Sequence, residues 1–380
     1  MNSLKLAFWR FQCGLALGGL LSACSSTPDK PKPPELPALT SAAATAPMTK
    51  VWSSPLGPIE TPLSLSVKDG QVAAVSSNGL LALIDASSGR DVWRLALNTR
   101  VQAGVGGDGN RFAVVTQDNE VVAVEAGRVV WRYRLSASTY TAPLVAGGRV
   151  FVLTADRTVI ALDGASGQRL WSQQRAGDPL ILRQAGLLMA VGDTLVVGLS
   201  GRLVGMNPNN GSTKWDSVVG ASRGTNEVER LVDIVAGVSR TDHVVCARSF
   251  QTAVSCVDAG KGLTLWTRSS LGHQGLDGNQ ELVVGAESDS KIRAWSRESG
   301  QPAWTSEAFR FRGLSTPLVW GNTVVWGDAT GLLHRLSMAD GQPLNRATLD
   351  GSAVATRPVA AAGLMVVATR NGALFGYRLD

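Results

Sequence analysis

Histidine is nearly absent from this chain. His243, His273 and His334 are the three present in 380 residues, and none has a neighbour at metal-ligand spacing. Also missing are a G-x-S-x-G elbow, an H-E-x-x-H helix and a phosphate-cradling glycine loop. Glycine-rich pieces such as residues 104–110 read as turns between strands. With 3 Tyr and 8 Phe there is no basic and aromatic stripe, which argues against a nucleic-acid partner. Charge is sparse and balanced: 36 Lys and Arg stand against 30 Asp and Glu, and the +6 is scattered. No apolar segment is long enough to span a bilayer comfortably; the longest candidate, Cys13 to Leu21, is too short. These gaps leave no catalytic residue, no metal site and no cofactor to name, and the expectation is a protein that is not an enzyme.

What the chain does contain is a repeat. The stretch ALDGASGQRLW ends at Trp171, and related stretches end at Trp93, Trp131, Trp215, Trp266, Trp304 and Asn345. Gly89, Gly127, Gly167, Gly211, Gly262, Gly300 and Gly341 each sit four residues before the end, where a tight reversal needs a residue tolerant of φ > 0. Asp85, Asp163, Asn207 and Asp258, eight residues before the end, are placed to bond their own backbone and open the turn. The tryptophan is a large apolar anchor for packing one unit on the next. Steps of 38 to 51 residues, with several strand-like runs per unit, mark a β-propeller rather than a helical solenoid.

The two ends of the chain complement each other. Trp52 lies 41 residues before Trp93 with Met48, not glycine, four positions earlier. The C-terminal stretch supplies three strands and stops at Asp380, where the other units place the Asp before their tryptophan strand. Joining them predicts an all-β, eight-bladed propeller of four-stranded antiparallel blades spanning 49–380, with seven blades the competing count. In this ring the N-terminal strand completes the C-terminal blade, because an open ring would expose two sheet edges.

Ahead of the propeller, Lys5 and Arg10, the apolar run and the stretch LSAC read as an export signal over residues 1–23. Residues 21–24 resemble the lipobox of bacterial lipoproteins. That resemblance implies cleavage before Cys24, acylation of its thiol and amine, and firm membrane anchoring. Ser25 in place of Asp points, by the same analogy, to the outer membrane. Residues 24–48 carry six prolines without apolar periodicity, a semi-extended tether. Cys246 and Cys256 flank the hairpin CARSFQTAVSC and align with Val152 and Leu162 of the third unit. An oxidising periplasm favours a disulfide, which is the expectation, although two buried thiols fit as well.

The A-L-D-x-x-x-G-x-x-x-W unit resembles two families. One is the eight-bladed pyrroloquinoline-quinone (PQQ) dehydrogenases, which would make this a periplasmic oxidoreductase. That family adds calcium ligands, a catalytic Asp and adjacent cysteines, none of which the chain displays. The other is the BamB family, lipoproteins of the outer-membrane β-barrel assembly (BAM) complex. Beyond lipobox and tether, Leu180, Leu182 and Arg183 resemble its Leu-x-Leu-Arg loop. Glu227, Arg230, Leu231 and Asp233 resemble its Glu-Ile-Asp-Arg-Leu-x-Asp segment, with Val235 where the family has a second acidic residue. The resemblance implies that Leu180, Leu182, Arg183, Glu227, Arg230 and Asp233 contact the periplasmic POTRA domains of BamA. It also implies help in folding and inserting unfolded outer-membrane proteins. The two loops follow the outer strands of adjacent units and so should emerge side by side on one face of the disc. Phe309 to Arg312, two blades on, is a reserve contact. A polysaccharide-binding propeller would need aromatics on one face, whereas Trp295, Trp320 and Trp326 read as core.

Overall fold

The computed structural model describes residues 36, 38, 45–176, 180–222, 226 and 230–380. Within them the strands form eight antiparallel sheets of four strands each. Seven blades follow one another along the chain, over 66–96, 101–134, 144–174, 188–218, 239–269, 277–306 and 318–348. The eighth takes its inner three strands from 359–379 and its outer strand from Met48–Pro55. The ring is therefore closed by the N-terminal strand, and the count is eight.

The two middle strands of each blade are packed on both faces by neighbouring blades, so they carry unbroken apolar runs instead of alternation. Val72, Ala73, Ala74 and Val75 are all buried, as are Val159, Ile160, Ala161 and Leu162. Outer strands face solvent and behave differently: in Arg169–Gln174 only Trp171 is buried.

The tryptophans fasten blade to blade. Trp131 of blade two donates its indole N–H to the Gly164 carbonyl of blade three at 2.7 Å. Trp171, Trp266 and Trp304 do the same to Pro208, Arg297 and Met338, the residues just past the turn-opening position of the next blade. Each ring also lies on the next blade's turn glycine. A Cβ on Gly167 would stand 2.6 Å from Trp131, and one on Gly300 2.5 Å from Trp266. The glycines therefore serve twice, adopting φ near +70° and leaving room for the neighbouring indole. Asp85 and Asp163 accept backbone N–H bonds from Ser88 and Ser166 within their own turns.

Blade eight uses the same device although its outer strand comes from the other end of the chain. Trp52 pairs with Gly376, donates to the Ala86 carbonyl at 2.8 Å and covers Gly89. Trp93 and Trp215 cover Gly127 and Gly262 in the same way, and one junction has no tryptophan. Blade seven has Asn345 at the tryptophan position of its outer strand, because the next blade has no covalent turn, and hence no glycine, for an indole to cover. Arg335, opposite Asn345 in the ladder, instead donates to the carbonyls of Ala46, Pro47 and Asp380. One guanidinium thus ties both chain termini of the closing blade to blade seven.

Candidate functional site

Connections between blades and the turns between middle strands share one face of the disc. The loop after blade three holds Leu180, Leu182 and Arg183; the loop after blade four holds Arg230 and Asp233. They lie side by side: Asp233 accepts the Leu182 N–H at 2.9 Å, and the Ala236 N–H reaches the Ala185 carbonyl at 2.9 Å. Cys24 and Glu227 fall outside the described residues.

The exposed parts of this pair are apolar and cationic. Leu180 is 38% exposed, Leu182 is half-buried, and Arg183 is exposed with its guanidinium 5.6 Å from the Tyr140 ring centre. Asp233 faces inward. Burial raises its carboxyl above the ordinary value, opposed by the Leu182 N–H and by the charge of Arg157. Arg157, on the turn between the middle strands of blade three, is itself buried; it donates to Ser200 Oγ at 2.7 Å and to the Leu180 carbonyl at 3.4 Å. Two charged groups thus hold the Leu180–Leu182 backbone from beneath.

Sequence reasoning missed Arg157. Its signal was a bulky residue at a turn position whose φ is +62°. Reasoning from the sequence also left Asp233 as a surface contact, whereas its carboxylate bonds the neighbouring loop. Arg230 is half-buried, and its N–H reaches the Asn226 carbonyl at 3.2 Å. Val235 is buried with its N–H on the Arg248 carbonyl at 3.0 Å, so this departure from the family pattern is a core position. Gln184 carries the surface onward, donating to the His273 carbonyl at 2.5 Å.

The reserve loop is built the other way round. Phe309 is buried against His334, ring centres 4.8 Å apart, and Arg312 is buried beside Asp328 at 3.5 Å. Arg310 stays outside, paired with Asp289 at 3.0 Å, next to exposed Phe311. Beneath them His334 Nε2 bonds Asp328 Oδ2 at 2.9 Å. Burial alone would raise the Asp328 carboxyl, but bonds from His334, Leu332 N–H and Thr330 outweigh it and bring it to about 2. Burial also lowers His334, with Asp328 opposing. Among the described residues no three His, Cys, Asp or Glu side chains converge as metal ligands.

Cys246 and Cys256 face each other across their ladder, fully buried, with Cα atoms 3.9 Å apart and sulfurs within bonding reach. Their alignment needs a correction. Asp258 and Asp163 open equivalent turns, so Cys256 matches Ala161, and Cys246 matches its partner Phe151, one position from Leu162 and Val152. Trp295 and Trp326 are buried and Trp320 is half-buried, which is a core arrangement.

Comparison with known proteins sharpens the picture. A family model described as outer membrane protein assembly factor BamB matches residues 49–306. Outer membrane protein assembly factor BamB of Burkholderia pseudomallei is 32% identical over 382 residues, 100% of this chain and 100% of that one. The crystal structure of BamB from Moraxella catarrhalis matches with a TM-score of 0.80 and 24% identity, over 87% of this chain and 100% of that chain. A quinohemoprotein alcohol dehydrogenase from Comamonas testosteroni matches at 0.68 and 15% identity, over 90% and 78%. At those identities the two crystal structures speak to the fold alone.

Proposed function

This chain belongs to the BamB family of outer membrane protein assembly factors, and from that premise we propose that it is a non-enzymatic scaffold of the BAM complex. Its propeller docks on the periplasmic POTRA domains of BamA and aids the folding and insertion of outer-membrane proteins. Leu180, Leu182 and Arg183 make the contact, with Glu227 and Arg230 flanking it and Asp233 acting through the loop it holds. Residues 1–23 are removed, acylated Cys24 anchors the chain to the outer membrane, and 24–48 tether the 49–380 propeller in the periplasm. Cys246 and Cys256 are bridged there.

The observation that carries this reading is the construction of the loop pair. Leu180 and Arg183 stand outside on a backbone already fixed by Asp233 and Arg157. An apolar anchor beside a forked cation, held in place before binding, has the composition and low ordering cost of an interface hot spot. The full-length relative bears an assembly-factor name, which favours this reading over a dehydrogenase. Affinity purification of the full-length lipoprotein from membranes is the test. BamA should co-elute as a major partner, and its absence would contradict the proposal.

A further inference from the structure

The inner strands surround an axial opening, and on the loop-bearing face it widens into a funnel of about 720 Å³. The wall combines two chemistries. Leu65 and Val67 of blade one, Leu318 of blade seven and Val359 of blade eight are aliphatic; Arg357 and Arg370 of blade eight and Arg183 of the loop after blade three stand among them. Glu60 is the single carboxylate in the lining, and it is engaged by Arg100 at 2.5 Å. Arg357 is paired with Asp277 at 3.1 Å. Arg183 and Arg370 are exposed, and among the described residues neither is in an ion pair.

We propose that this funnel is a second binding site, for an extended acidic polypeptide segment. A concave mouth lined by one sign of charge, with low-dielectric walls behind it, concentrates the field and draws in the opposite charge. The aliphatic side chains among the arginines set a second requirement on the ligand. An extended chain points successive side chains to opposite sides, so a segment of alternating acidic and aliphatic residues offers the wall both chemistries. A small anion would leave the aliphatic side chains uncovered. The lining contains no aromatic ring, so a single-stranded nucleic acid would find no surface for its bases to stack on. The site goes beyond docking through the Leu180–Arg183 loop and shares only Arg183 with it.

The test uses the full chain and fluorescence anisotropy with a fluorescein-labelled nonapeptide of alternating Asp and Val. A Lys and Val counterpart and a nine-residue oligodeoxythymidine are the comparators. The acidic peptide should bind, and binding should weaken at about 0.5 M salt. Arg370→Glu should weaken it by at least about tenfold, as expected for reversing a charge that faces the ligand. Arg370→Gln should fall between, and Arg134→Glu, on the outer strand of blade two, should bind as the parent does. Absence of binding, indifference to Arg370→Glu, equal binding of the Lys peptide, or tighter binding of the oligonucleotide would each overturn the proposal.

Discussion

Two loops on the same face of the disc, built from similar residues, have opposite constructions. Leu180 to Arg183 follows blade three and Phe309 to Arg312 follows blade six, each mixing large apolar side chains with arginine. In the first, the holding charges Arg157 and Asp233 come from other segments, and the loop's own Leu180 and Arg183 remain outside. In the second, the loop spends its own side chains inward. Phe309 fills the core between blades six and seven, and Arg312 goes to the buried Asp328–His334 pair. What a loop offers a partner therefore depends on whose charges hold it down.

Stability measurements can break that contrast. The largest effect should come from Asp328→Ala, which takes the carboxylate from buried Arg312 and His334; removing one partner of a buried pair costs about 3–5 kcal/mol. A urea midpoint implying less than about 1 kcal/mol would show the network to be unimportant. Phe309→Ala should fall in a similar range, about 3–5 kcal/mol, by leaving a cavity.

A smaller effect is expected from pH. The folded Asp328 carboxyl, at about 2, lies below its ordinary 3.8. Its contribution is therefore full above about pH 4 and is lost as pH falls through about 2. The stability gap between wild type and Asp328→Asn should shrink by on the order of 2 kcal/mol between pH 4 and pH 2. A constant gap would contradict the assignment. Smallest of all is Leu180→Ala, which should change stability by no more than about 0.5 kcal/mol, as for other exposed positions. A loss comparable with that of Phe309→Ala would make Leu180 core rather than contact.

Much of the fold was legible in the sequence because every unit repeats the same local demand. The φ requirement at Gly89 or Gly167 is a property of its own turn and shows in one copy. The second demand on those glycines, space for the preceding blade's indole, involves residues 36 or 37 positions apart and appears only when blades are assembled. For the same reason the sequence alone does not explain Asn345, which marks the junction whose next blade has no turn and where Arg335 takes over. At the candidate site the exposed Leu180 and Arg183 were readable from the loop itself. Arg157 and the inward direction of Asp233 were not, since what they bond is backbone from other loops, which carries no residue code.

The most direct measurement is a paired capture of BamA by full-length proteins carrying Arg183→Glu or Arg310→Glu, each checked for an unchanged melting temperature. Arg183→Glu should abolish capture and Arg310→Glu should retain it. Capture retained by a folded Arg183→Glu protein would contradict the account.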